Sequence, residues 1–419
     1  MRINGLTYAF FGAALVSMIA ANACSATGGT GEFMPSGAGG NATQSSGSDG
    51  LGGLNLGTGG MTSIDINPPC DFKEPSGDHD GDGFTVADGD CNDCSVAMNP
   101  GAQDFAGNSI DEDCDGAGDN NPTACDGALS VASNSALDGA KALGLCKMAT
   151  GKTWGLISAE YVTADGQPLD GYDFDGIGHG LLKGFGPNVN PQEGKALLAL
   201  SSGTARQPSD PGYQSVGGHD KGYETSAPPG YPKESPACPN VTTGAPHDSA
   251  GLLVKIKSPT NAKSLKFNLN FYTYEWPGFI CSQFNDFFVA MMTPVPKGQA
   301  DGNISFDTKN NLISVNAGFL EVCGCAGGPP CQTSGPPSSC TLGNAQLKDT
   351  GFDDGGDSSA ATGWLVTTSP IQQPGSPISL LFTVWDSGDG VLDSTILLDN
   401  FTFDVDAAVT GTVPVEIPK

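Results

Sequence analysis

Basic residues are scarce in this chain. Lys and Arg number 18 among 419 residues, against 46 Asp and Glu, for a formal net charge of −28. Nucleic-acid binding rests on Lys and Arg contacts to phosphate, so this balance excludes it. Histidine is rarer still: His79, His179, His219 and His247 are the whole set. None stands in an H-E-x-x-H pattern, and no G-x-S-x-G is present, which leaves no familiar hydrolytic centre. His219-Asp220 and His247-Asp248 lie in Gly- and Pro-rich loops without helical partners, so they read as solvated loop residues and the chain as a non-enzyme. Long apolar runs are missing after the first twenty residues, so no later stretch can span a bilayer.

Residues 1–23 have the order of an export signal: Arg2, an apolar run from Leu6 to Ala20, then Ala21-Asn22-Ala23 before Cys24. Two processing routes fit. An ordinary signal peptidase accepts A-x-A; a lipoprotein signal peptidase takes small residues followed at once by Cys, which then carries lipid. The second is favoured, because residues 24–69 are a flexible tether. Thirteen of the 36 residues at 25–60 are Gly, a composition that buries no core. From Cys24 to Cys70 the tether reaches roughly 35–40 Å. Without Cys24, twelve cysteines remain, an even number that fits disulfides in an oxidising compartment. Cys125 and Cys146 bracket a short helical pattern around Ala136, Leu137, Ala140 and Leu143, capped by Asn134 or Ser135, and are candidates for one bridge.

The most ordered signal is the acidic stretch at 78–119, with twelve Asp or Glu in 42 positions and no Lys or Arg. Unit charges about 4 Å apart repel by roughly 1 kcal/mol per pair even in water. The acids recur at alternate positions: Asp78, Asp80 and Asp82 before Gly83; Asp88 and Asp90 before Asn92 and Asp93; Asp111, Asp113 and Asp115 before Gly116. Such spacing lets a tight loop turn several oxygens to one centre, and Gly permits the bend. The first run matches the start of an EF-hand loop, in which Phe84 at position seven would add its carbonyl. Position twelve is Gly89 where that loop needs a bidentate Glu, so no helix-loop-helix pair is inferred. A further acidic group, Asp386, Asp389 and Asp393, precedes a strand at 395–403; a second oxygen-ligated site competes there with simple turns made by Asp side chains.

From Trp154 onward the pattern is β. Leu265, Phe267, Leu269 and Phe271 alternate with Lys266, Asn268, Asn270 and Tyr272, the period of a half-buried strand. Ile378–Val384 and Phe401–Val405 repeat it. Leu156–Val162, Ala196–Leu200, Leu252–Ile256, Phe287–Met292, Ile304–Phe306 and Ile313–Val315 are further strands. Many short strands between Gly, Pro and Asn predict a mainly β chain: an antiparallel β-sandwich, jelly-roll-like, behind a small disulfide-linked acidic loop module. The domains are then 1–23, 24–69, the module at 70–119 and the sandwich at 120–419.

Residues 78–116 resemble the MopE-type metal-binding motif of bacterial surface proteins. Asp78, Asp80, Asp82, Gly83 and Phe84 carry the likeness, with Gly89-Asp90-Cys91-Asn92-Asp93, then Asn99-Pro100-Gly101-Ala102 and Asp104, then Asp111, Asp113, Cys114, Asp115 and Gly116. The resemblance implies a Cys91–Cys114 disulfide; Cys94 is additional to the pattern. Residues from about 125 to 410 resemble the choice-of-anchor L domain of exported bacterial proteins, through 267–292, 303–323 and 384–403. That implies a β-sandwich displayed outside the cell, and no chemistry.

Carboxylate and amide oxygens select hard ions, chiefly Ca²⁺. Copper, which the MopE name brings to mind, favours imidazole, thioether or thiolate, and the module has only His79 and Met98 beside its cysteines. The expected protein is a calcium-binding cell-surface lipoprotein, touching the membrane only through its N-terminal lipid. Its expected role is binding or adhesion to an extracellular polysaccharide or another surface protein, with Tyr272, Tyr274, Trp276 and Phe279 beside Asn285 and Asp286 as one contact surface. A surface spacer without ligand and a secreted hydrolase with an unrecognised site are the alternatives.

Overall fold

The structure, a computed structural model, describes residues 75–119, 123–169, 172, 176–316, 319–324, 340–353 and 359–415. The export signal, the tether, Cys24, Cys70, Cys325 and Cys331 lie outside the described residues. The described residues belong to one compact unit.

Two antiparallel sheets pack face to face. The first runs β1 (Gly155–Val162), β4 (Pro246–Lys257), β11 (Pro377–Ser387), β6 (Phe287–Thr293), β7 (Ile313–Ser314). The second runs β13 (Gly411–Pro414), β10 (Leu365–Pro370), β5 (Ser264–Thr273), β12 (Ser394–Asp404), β3 (Leu197–Ser201), β2 (His179–Leu182). Two short strands, β8 (Val322–Cys323) and β9 (Ala360–Ala361), extend it beside β5. The connections β4–β5, β5–β6, β10–β11 and β11–β12 each cross from one sheet to the other. Leu265, Phe267, Leu269 and Phe271 of β5 meet Leu252, Val254, Ile256, Phe382 and Val384 between the sheets.

The β5 strand differs from its expected half-buried form. Asn268, Asn270 and Tyr272 are buried too. A second apolar layer covers that face, in which Tyr272 packs with Phe185, Val216, Leu347 and Phe352 from the long connections. A third layer, with Ala164, Phe287, Val289, Leu312 and Trp385, covers part of the first sheet's outer face. Ile304–Phe306 is not a strand. It makes only isolated pairings on either side, Met291 with Asn303 and Phe306 with Leu312.

The α-helix α1 (Ala136–Ala142) is the only one among the described residues. Ser135 caps it by accepting the Asp138 amide. No helix among the described residues is long and apolar enough to cross a membrane. Disulfides join Cys91–Cys114, Cys125–Cys146, Cys238–Cys281 and Cys323–Cys340. Cys94 is also disulfide-bonded.

Candidate metal centre

The acidic module has almost no core. Val86, Val96 and Ile110 are exposed, and among its described residues only Phe84 and Ala102 of the apolar side chains are buried. Backbone amides shape its loops instead. Asp78 accepts from Gly81 (2.7 Å) and Gly83 (3.0 Å), Asp80 from Asp82 (3.1 Å) and Asp82 from Phe84 (2.8 Å). Asp111 does the same for Asp115 (3.0 Å) and Gly116 (2.9 Å). Asp78 and Asp111 commit both carboxylate oxygens to these amides, whereas Asp80 commits only Oδ1 and keeps a buried Oδ2 without a hydrogen bond.

Three groups of carboxylates result, each able to put one oxygen per residue within 4.8 Å of the others: Asp78, Asp80 and Asp93; Asp80, Asp82 and Asp90; Asp104, Asp111 and Asp113. Asp80 joins the first two groups, so they form one double centre. Buried oxygens of Asp80, Asp90 and Asp113 accept no hydrogen bond. Burial pushes the Asp90 carboxyl up to about 6 against the Asn92 amide, with the Asp82 and Asp80 charges adding to the rise. Burial also raises Asp82, against the Phe84 amide, and Asp113, against the Lys147 ammonium 3.3 Å away. Asp93 moves the other way, held low by the amide (2.8 Å) and ring Nδ1 (2.6 Å) of His79.

Other candidate ligands stand outside these groups. Asp88 is tied to Lys152 (3.0 Å) and caps the turn at Thr85 (3.2 Å). Asn92 gives its amide to Asp90 (2.7 Å) and its side chain to Met98 (3.4 Å). Asp115 accepts the Ala117 amide (3.0 Å). Phe84 buries its ring at the sandwich surface, with Lys152 Nζ 5.0 Å from its centre. Asp104 was not among the expected ligands. It accepts the Glu112 (2.8 Å) and Asp113 (3.1 Å) amides and so draws the third group together.

Asn99-Pro100-Gly101-Ala102 docks the module on the β4–β5 connection. Thr260 donates to Gly101 O (2.9 Å) and to Asn99 Oδ1 (2.8 Å), and Asn261 exchanges hydrogen bonds with Gln103 (2.9 and 3.0 Å). Asn99 also donates to Asp82 (2.7 Å), which links the first acidic loop to the sandwich through one side chain. Gly101 must be Gly here: a Cβ would stand 2.8 Å from the Phe84 ring and 3.0 Å from Thr260. A cavity of about 520 Å³ lies beside this junction, lined by Asp104, Phe105, Trp154, Lys266, Asn400 and Phe401 among others.

The expected group at 386–393 does not assemble as such. Asp389 accepts the Val391 amide (3.1 Å) in a turn. Asp393 is buried against Gly203, where a Cβ would overlap its carboxylate at 1.7 Å. Asp386 instead faces Glu275 and Asp286. Tyr272 and Trp276 are buried, as are Asn285 and Asp286, so the expected aromatic contact surface is not present in that form. No known protein family, curated protein or solved structure matches the chain.

Proposed function

We propose that the chain is a calcium-binding protein of the cell surface, exported and held by lipid at Cys24, in which bound calcium fixes the acidic module to a β-sandwich that binds an extracellular partner. The observation that carries the calcium reading is the set of buried, unpartnered oxygens on Asp80, Asp90 and Asp113 at the centres of their carboxylate groups. A buried polar atom without a partner is costly, and a hard cation satisfies several at once. With Phe84 and Ala102 the only buried apolar side chains among the module's described residues, ion–oxygen bonds and Cys91–Cys114 must supply what a core would. The likeness of residues 78–116 to the MopE-type motif supports the same reading. The cavity at the junction, with Trp154 and Phe401 beside Lys266 and Asn400, supports the binding role and suits a polar ligand with apolar faces, such as a polysaccharide.

Limited proteolysis with and without chelator tests the calcium reading. Cleavage within 75–119 is expected to rise at least tenfold on chelation, and Asp80→Asn with Asp113→Asn is expected to be sensitive even with calcium. Equal resistance in all four conditions refutes it. A glycan array separates a binding module from a spacer, and fatty-acid labelling of Cys24→Ser against the parent tests the anchor.

A further inference from the structure

Three carboxylates meet between the two sheets, away from the module. Glu275 lies just beyond the end of β5, Asp286 just before β6, and Asp386 near the end of β11. In the β11–β6 ladder Trp385 pairs with Phe287, and one step further out Asp386 comes opposite Asp286. The period of two turns both to the same face as Phe288 and Val384, which point into the core, while Phe287 and Trp385 face the outer layer. Glu275 arrives from the opposite sheet. The three offer oxygens within 4.8 Å of one another and are 2%, 0% and 1% exposed for Glu275, Asp286 and Asp386.

Like charges directly opposite in a ladder are destabilising, and buried ones more so without a partner. No Lys, Arg or His among the described residues forms an ion pair with any of the three. Hydrogen bonds account for only part of the site. Asp286 Oδ1 accepts the Ser387 amide (3.1 Å), and Glu275 Oε2 the Asp286 amide (3.3 Å). Asp286 Oδ2 and both oxygens of Asp386 are buried and accept none within hydrogen-bond geometry, although the Ser394 hydroxyl bears on Asp286 and lowers its carboxyl. The Gly390 amide, which bears on Asp386, lies outside hydrogen-bond geometry.

The geometry points to a divalent cation site of the calcium class, ligated by Glu275, Asp286 and Asp386 and separate from the module. Three carboxylates, each offering an oxygen within 4.8 Å of the others, supply part of the six to eight oxygen ligands such an ion takes. Asp386 is the deciding residue: it is almost wholly buried, both its oxygens are free, and it is aimed at the other two acids. Burial, with the mutual repulsion of the acids, raises all three carboxyls. Glu275 and Asp286 are also the two roots of the β5–β6 connection, which carries Phe279 in edge contact with Phe284 and is tied at Cys281 to Cys238. An ion here would close the base of that loop and join the sheets.

Terbium luminescence on the full chain tests this. Trp276 follows Glu275 and Trp385 precedes Asp386, so terbium at this site is excited through tryptophan. Trp154 shares Lys147 with Asp113, its ring centre 4.7 Å from Lys147 Nζ, so the experiment is run in a Trp154→Phe background to silence the module. Sensitised emission is expected, displaced by calcium, and reduced at least tenfold in Glu275→Gln with Asp386→Asn. Asp80→Asn with Asp113→Asn is expected to leave it unchanged, which separates failure of this site from failure of the module. Undiminished emission in the Glu275→Gln, Asp386→Asn chain overturns the proposal. If that chain does not fold, crystals of the unsubstituted chain grown with terbium decide: an anomalous peak among the three carboxylates is expected, and its absence overturns the proposal.

Discussion

Asp399 sits on β12 where the pairing with β5 breaks register. Its Oδ2 accepts the amides of Gln192 (2.5 Å) and Glu193 (3.3 Å), and its Oδ1 the Asn400 amide (2.6 Å). Burial pushes its carboxyl up to about 7 despite these donors, and the Glu193 charge adds to the rise. A carboxyl raised in the fold above its ordinary 3.8 contributes stability that is complete below that value and lost as pH rises through about 7. In calcium-saturated protein, unfolding free energy is expected to fall between about pH 4 and 7, with Asp399 contributing at most about 1.4 kcal/mol per pH unit. Asp399→Asn should remove that part of the slope. Urea unfolding across the pH range measures it; identical slopes in parent and variant show that another group is responsible. The module's acids were legible because their spacing is local. Glu275 and Asp286 were not, because each stands among aromatic residues and only the ladder between β6 and β11 brings Asp286 to Asp386.

At the scale of elements, period and punctuation located most strands and the capped helix. Burial of the second face was missed, because the covering residues Phe185, Val216, Leu347 and Phe352 lie in connections with no strand period of their own. Ile304–Phe306 was misread because a short apolar run has no partner strand encoded within it. The Cys238–Cys281 bridge could not be read from sequence, since connectivity among many cysteines is undetermined. It closes 43 residues of chain, so its removal is expected to cost about 4 kcal/mol, and removal of Cys323–Cys340, with a separation of 17, about 3 kcal/mol. Denaturant midpoints of the paired Cys→Ser variants give the comparison. Equal stability of the parent and the Cys238→Ser, Cys281→Ser chain rules out the constraint as a stabilising element.

For the molecule as a whole, the charge of −28 makes the chain repel itself, so cations bound at the carboxylate groups would relieve a general strain as well as local ones. The seat of the module on Thr260 and Asn261 has a mechanical side. The β4–β5 connection joins central strands of both sheets, and the module meets the sandwich there and at Lys152 and Lys147. A pull on the module from its N-terminal side would load these contacts, Asn99 to Thr260 and Gln103 to Asn261 among them, together with the strands. On the proposed calcium reading, the ion-bound module would be a stiff coupling, and the ion-free module a slack length that yields first, shortened by the Cys91–Cys114 link across 23 residues. Single-molecule pulling from the N-terminus should then show an early, low-force extension in chelator that calcium abolishes; the same trace in both conditions would mean the coupling does not depend on the ion. If the proposed calcium sites and anchor hold, the local calcium level, rather than the sheets, would set how far the sandwich can be dragged before it resists.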